Sequence, residues 1–185
     1  MTVSATSSLF LLRARTGKQR SIARQYGATL LESIAFLGIA AIVILSAVSL
    51  LTGAFSTAQS NRASQEVVAI RTAVRKLYMG QGYGTAGLNA ALIGAKAFPS
   101  GLSTVGATVN NGFGGTVTVT GATTQFTIRY TNVPQDACIG TISGATGWAS
   151  VTGGGGAAVT LFPVSVAAAT AQCAAAVNTI TFTSN

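Results

Sequence analysis

The chain has no histidine, three acidic residues and two cysteines in 185 positions. Without histidine, neither a Ser-His-Asp triad nor a Cys-His dyad can be built. Two cysteines and three carboxylates leave almost nothing from which to assemble a zinc or calcium cage, so no metal or cofactor site is expected. Charge of either sign is scarce: 8% of residues are Asp, Glu, Lys or Arg, against roughly 25% in an ordinary soluble domain. Mean hydropathy is +0.53. That balance excludes a disordered tail and argues against an ordinary cytosolic enzyme. At about 100–200 residues per domain, the length allows one domain and an appendage.

The net charge of +8 is unevenly placed. Arg13, Arg15, Lys18, Arg20 and Arg24 put five bases and no acid into residues 1–27, whereas the rest sets six bases against Glu32, Glu66 and Asp136. A basic segment directly before an apolar run targets and orients a chain at a membrane. No basic stripe interleaved with aromatics follows, so direct nucleic-acid binding is not expected.

No charged residue occurs between Glu32 and Arg62, and the 22 residues Ile34–Phe55 make a helix of about 33 Å, enough for the roughly 30 Å hydrocarbon core. The positive-inside rule places residues 1–27 in the cytoplasm and the C-terminal part across the membrane. Beyond Phe55, Ala63, Val67, Ile70, Val74, Leu77 and Tyr78 recur at helical spacing, with Arg62, Glu66, Arg71, Arg75 and Lys76 elsewhere around the helix. One helix is predicted from Ala28 to Met79, apolar all round over 28–55 and amphipathic over 56–79, where it needs a domain to pack on.

Gly80, Gly82, Gly84 and Gly87 break the pattern. Gly115–Gly121 and Thr124–Thr131 then alternate apolar and polar residues and predict an antiparallel hairpin. A strand is expected at Ala158–Phe162, an Ala-rich helix at Val166–Val177 and a last strand at Thr179–Thr183, giving an α+β head over 80–185. Gly82–Gly87 matches G-x-G-x-x-G but follows a helix and lacks the downstream acid of a dinucleotide site. Gly153–Gly156 lacks the Lys-Ser/Thr ending of a phosphate loop and reads as a turn. Asn110–Gly115 reads as a turn or bulge entering the hairpin. Cys138 and Cys173 fall in the part placed outside the cytoplasm, where a disulfide is the expected state. No histidine is present to activate either thiol.

The junction Arg24-Gln25-Tyr26-Gly27-Ala28-Thr29-Leu30-Leu31-Glu32-Ser33 carries the most specific signal. Glu32 is a lone carboxylate one turn inside an apolar helix, where it costs about 2.5–3.5 kcal/mol at mid-membrane and less near the interface. A basic leader ending in Gly27, a small residue at Ala28, Glu32 fifth after the break and an uninterrupted apolar helix together resemble the type IV pilin family. The long leader and a first residue other than Phe resemble its type IVb branch. The Asn110–Val119 run, the Thr127–Cys138 stretch and the cysteine pair are similar to PilS-like pilins.

The resemblance implies a fold in which the long helix packs on an antiparallel sheet. It also implies cleavage after Gly27 by a prepilin peptidase, N-methylation of the new terminus at Ala28, and assembly through the inner-membrane pilus machinery. By it, Glu32 sets register by pairing with the α-amine of a neighbouring subunit, and the chain is a structural subunit without catalysis: the major pilin of an extracellular fibre for adhesion, aggregation or conjugative contact. Before assembly its partner is membrane lipid; afterwards it is further copies of itself. Gly38 and Gly53 are the places where the helix can loosen. A pseudopilin or minor pilin shares the same leader logic. A secreted binding protein cut near Ser56-Thr57-Ala58 is a further alternative, but its apolar run exceeds a normal signal-peptide core and leaves Glu32 without a role.

Overall fold

The computed structural model describes residues 29–154 and 156–185. Helix α1 (Leu30–Leu77) is followed by α2 (Asn89–Gly94), β1 (Ser103–Val105), β2 (Thr108–Asn110), β3 (Thr116–Ala122), β4 (Gln125–Pro134), α3 (Gln135–Ser143), β5 (Ser150–Thr152), α4 (Val166–Gln172) and β6 (Val177–Ser184). The chain falls into two units that divide at Val43 and Ile44, inside α1.

In the larger unit all strand pairs are antiparallel, and the six strands lie in the order β1-β2-β3-β4-β6-β5. Period-two alternation turns Val117, Val119, Phe126, Ile128, Tyr130, Ile180 and Phe182 into one buried face. Val67, Ile70 and Val74 of α1, spaced three and four apart, join the same core together with Leu92, Ile142 and Val151. The opposite face carries Thr118, Thr120, Thr127, Arg129, Thr181 and Thr183, none of them buried. The α+β class is therefore a long helix packed on one face of a twisted antiparallel sheet.

Small polar side chains complete the backbone pairing where strands stop short. Asn89 donates to Val117 O at 2.9 Å and accepts from the Val119 N–H at 2.8 Å, continuing the ladder along β3 beyond the end of β2. Asn111 accepts from the N–H groups of Phe113 (3.0 Å) and Gly115 (2.9 Å) and donates to Thr131 O (2.8 Å). The expected turn at 110–115 is thus held to β4 by one carboxamide. A bulge in β4 between Tyr130 and Val133 places Asn132 at φ 61°, and its amide donates to Phe113 O.

Cys138 on α3 and Cys173 at the end of α4 are both fully buried and joined, with an S–S distance of 1.98 Å and Cα atoms 5.9 Å apart. In the chain-entropy account a loop of this size stabilises the fold by roughly 3–4 kcal/mol. This matters for a head with so many Ala and Gly residues.

Several elements differ from the sequence expectation. The helix expected from Ala28 to Met79 is described over Leu30–Leu77, closed by a Tyr78 N–H bond to Val74 O. No strand forms at Ala158–Phe162: only Val159 pairs, exchanging both backbone bonds with Val151, before the chain bends away at 161–163. The strand it meets, β5, is three residues long. The helix expected to reach Val177 stops at Gln172, and Asn178, the second residue of β6, takes the Ala175 backbone groups. Helix α3 was not expected, although Pro134 at its N-cap and Asp136 in its first turn are start signals. Glu66, expected on the polar side of α1, is only 6% exposed.

Two backbone segments approach too closely for a side chain. The Tyr83–Ala86 segment bonds to β3 through Tyr83 N–H to Thr123 O (2.9 Å) and Gly121 N–H to Ala86 O (3.0 Å). A Cβ on Gly121 would overlap the Tyr83 carbonyl oxygen. Gly121→Ala is expected to destabilise the full-length protein by about 1–3 kcal/mol, seen as a lower midpoint in urea unfolding in detergent. Gly94→Ala, where nothing lies within 4 Å of the added carbon, is expected to leave the midpoint unchanged or raise it.

Candidate assembly site

Thr29-Leu30-Leu31-Glu32 is a Thr-x-x-Glu helix start. Thr29 Oγ1 accepts the Glu32 N–H at 3.2 Å, and Thr29 O accepts the Ser33 N–H at 3.0 Å. The Glu32 carboxylate therefore sits in the first turn, where the helix presents its positive end. It is exposed and shares a shallow cleft with Ser33, Phe36 and Leu37, which follow at one, four and five residues. Gly27 and Ala28, the expected cleavage pair, lie outside the described residues.

Among the described residues, the apolar side chains that follow are left exposed by the single chain. Phe36 is 71% exposed, Ile42 66% and Leu50 78%. The most apolar 18-residue window of α1 has mean hydropathy 2.8 and no buried residue. Among the described residues this is the one helix long and apolar enough to cross a membrane. Each such side chain stands to gain about 1.5–3 kcal/mol on burial, so a lipid phase or neighbouring helices must cover this surface. Gly38 and Gly53 both lie within the helix, with open space where a Cβ would stand.

From Ser56 onward α1 is tied to the head by polar contacts. The Ser56 hydroxyl beside Asp136 is the first cause that holds its carboxyl below the usual range. Ser60 Oγ lies 3.4 Å from Thr141 Oγ1, and a Cβ on Gly140 would come within 2.5 Å of it, so α1 and α3 meet through small residues. Arg62 Nε donates to Glu66 Oε1 at 3.1 Å and its Nη2 to Gly101 O at 3.1 Å, closing the 99–101 turn over the carboxylate. The Tyr130 hydroxyl, buried beside Glu66, finds no partner at full hydrogen-bond geometry, but the two groups are close enough to affect each other's ionisation. Arg71 lies over the Trp148 ring, 4.8 Å from its centroid, and Arg75 donates to Ser184 Oγ and Asn185 O.

Among the described residues no cluster of ligating side chains is suited to a metal. Cys138 and Cys173 are consumed by their bond. The i,i+4 spacing of Arg62 and Glu66 was a readable signal for their pairing, whereas the burial of Glu66 depends on a turn 35 residues further on.

A helix with an exposed apolar first half and a second half walled into a disulfide-bonded antiparallel α+β head is the architecture of a type IV pilin. The family model described as PilS N terminal matches residues 57–185, and the chain belongs to this PilS family of type IVb pilins. A pilin is a structural subunit, not an enzyme, and membership implies polymerisation into a pilus filament. No curated protein matches the chain.

Burial pushes the Glu66 carboxyl above its usual value of 4.5, against the opposing pull of Arg62 and Tyr130. A carboxyl raised in the folded state binds its proton more tightly there than in the unfolded chain. Its contribution to stability is therefore complete below pH 4.5 and is lost as pH rises through the folded value. Asp136, depressed, has the opposite sign and matters only as pH falls below 3.8. Urea unfolding of the full-length protein between pH 4.5 and 7 is expected to show a smaller loss of stability with pH in Glu66→Gln than in the parent. Equal slopes would mean that Glu66 does not titrate in this window.

Proposed function

We propose that the chain is the major subunit of a type IVb pilus, made as an inner-membrane prepilin and assembled into an extracellular fibre for adhesion, aggregation or conjugative contact. The observation that carries this reading is the exposed apolar surface of α1 with one carboxylate in its first turn. Prepilin peptidase removes residues 1–27 with their five bases, leaving a free and N-methylated amine at Ala28. Residues 28–55 span the membrane before assembly and pack against neighbouring helices after it, 56–79 continue the helix along the head, and 80–185 complete the head.

In that apolar surrounding, an amine at Ala28 of one subunit and the Glu32 carboxylate of another stabilise each other far more than either is tolerated alone. Glu32 thereby sets the axial register, and Gly38 and Gly53 let the helix loosen as subunits pack. Secretory cleavage near Ser56-Thr57-Ala58 fits poorly, because α1 runs through these residues without a break.

Intact mass and N-terminal sequence of the protein from the surface fraction of expressing cells test the processing. The expected result is a start at Ala28 and a mass two hydrogens short of the reduced chain; a start near Gln59 overturns it. Glu32→Ala is expected to be processed normally yet yield no fibres, or fibres of altered register, by electron microscopy. Normal fibres from that variant would remove the charge-pair account.

A further inference from the structure

Asn111-Gly112 is the one Asn-Gly pair in the chain. Such a pair is chemically reactive, because glycine carries no side chain to crowd its own backbone nitrogen as that nitrogen turns toward the asparagine carboxamide. The Gly112 nitrogen adds to Asn111 Cγ: an N–Cγ bond forms, the Cγ–Nδ2 bond breaks, and the side-chain nitrogen leaves as ammonia together with the Gly112 proton. Water then opens the resulting succinimide at one of its two carbonyls, giving aspartate or isoaspartate.

The fold engages every polar atom of this carboxamide. Asn111 Nδ2 donates to Thr131 O at 2.8 Å, and Oδ1 accepts the N–H groups of Phe113 at 3.0 Å and Gly115 at 2.9 Å. The Asn111 N–H donates to Gly115 O at 2.9 Å, and the residue is 7% exposed. The same turn is pressed onto β4 at two further points. Asn132 Nδ2 donates to Phe113 O at 2.7 Å, and Gly115 lies so close that a Cβ there would overlap the Thr131 carbonyl.

Attack on Cγ comes from above the carboxamide plane, and that plane is fixed here by three hydrogen bonds. The two N–H groups on Oδ1 would stabilise charge gathering on the oxygen. The nitrogen that must leave the plane and take up a proton, however, is the one bonded to Thr131 O, in a buried position. Gly112 itself is exposed, so the block lies in the asparagine side chain and not in access to the glycine.

We infer that Asn111 is a latent deamidation site, silent while the 111–115 turn is docked on β4 and reactive when the turn opens, with a product that cannot dock the turn again. A carboxylate has no N–H to offer Thr131 O and would set oxygen against oxygen in a buried place. Isoaspartate also adds a backbone atom to a turn whose length is fixed at both ends. Local openings of this kind occur in native proteins without global unfolding, and the chemistry makes each reacted opening permanent. The site belongs to the single chain, with or without fibres.

The test incubates full-length protein in detergent micelles at mildly alkaline pH, either native or unfolded in guanidinium chloride with its disulfide intact, and follows Asn111 by peptide mapping with mass spectrometry. In the unfolded chain Asn111 is expected to convert before Asn110 and Asn132, and in the native protein about tenfold more slowly or less. Gly112→Ala, where nothing lies within 4 Å of the added carbon, is expected to melt like the parent and to slow conversion of the unfolded chain severalfold. Asn132→Gly suits the φ of 61° at that position and removes the bond to Phe113 O; it is expected to speed native conversion about threefold or more. Asn111→Asp is expected to unfold at lower urea than the parent. Native conversion as fast as in guanidinium, no conversion in either state, or an Asn132→Gly rate equal to the parent's would each overturn the inference. A parental urea midpoint in Asn111→Asp would overturn the claim that the product cannot dock.

Discussion

The rest of the structure depends on an apolar helical surface that the described residues leave uncovered. The first half of α1 leaves Phe36, Ile42 and Leu50 each more than half exposed, and water is the one solvent in which that surface is unfavourable. A bilayer and a bundle of identical helices are physically similar answers, since both remove the same side chains from water. A pilin exploits that equivalence: the segment that anchors a subunit also holds the fibre together. On the proposed reading, a single carboxylate in the first turn would make the exchange directional, because an unpaired charge is tolerated near the interface but must find a partner when packed among helices.

The head answers a different problem. The head is small, and much of its sequence is Ala, Gly and Thr. Covalent and polar connections supply what bulk does not. The Cys138–Cys173 bond ties α3 to α4, Asn89 and Asn111 replace missing strand partners with side-chain amides, and Gln172 holds the glycine-rich turn through Gly153 N–H and Ala157 O. The small residues also allow close approach, as where Ser60 of α1 meets Gly140 of α3. These contacts couple the helix that would carry assembly to the sheet that would meet the outside.

The two faces of the sheet divide the labour. The inner face is apolar and joins α1, while the outer face is hydroxyl-rich with one cation. Both follow from the same alternation in β3, β4 and β6, so one sequence pattern fixes the packing and leaves a regular polar surface on the other side. Glu66 of α1, shut under the 99–101 turn by Arg62, is the one buried charge among the described residues, held against its tendency to seek water.

Local pattern determined the long helix, its change from all-apolar to one-sided near Phe55, the β3–β4 hairpin and the helix-start position of Glu32, because each depends on residues close in sequence. The cysteine pairing was equally legible, since two cysteines allow one partner. Tertiary structure decided what needed distant segments to meet. Helix α3 is a nine-residue segment whose core side is set by packing against α1. Val159 yields only a bridge because β5 ends where it does. Glu66 is buried by a turn contributed from residues 99–101. The aligned rows of threonine around Arg129 exist only once strand order and register bring β3, β4, β6 and β5 side by side, which no periodicity within a single strand can specify.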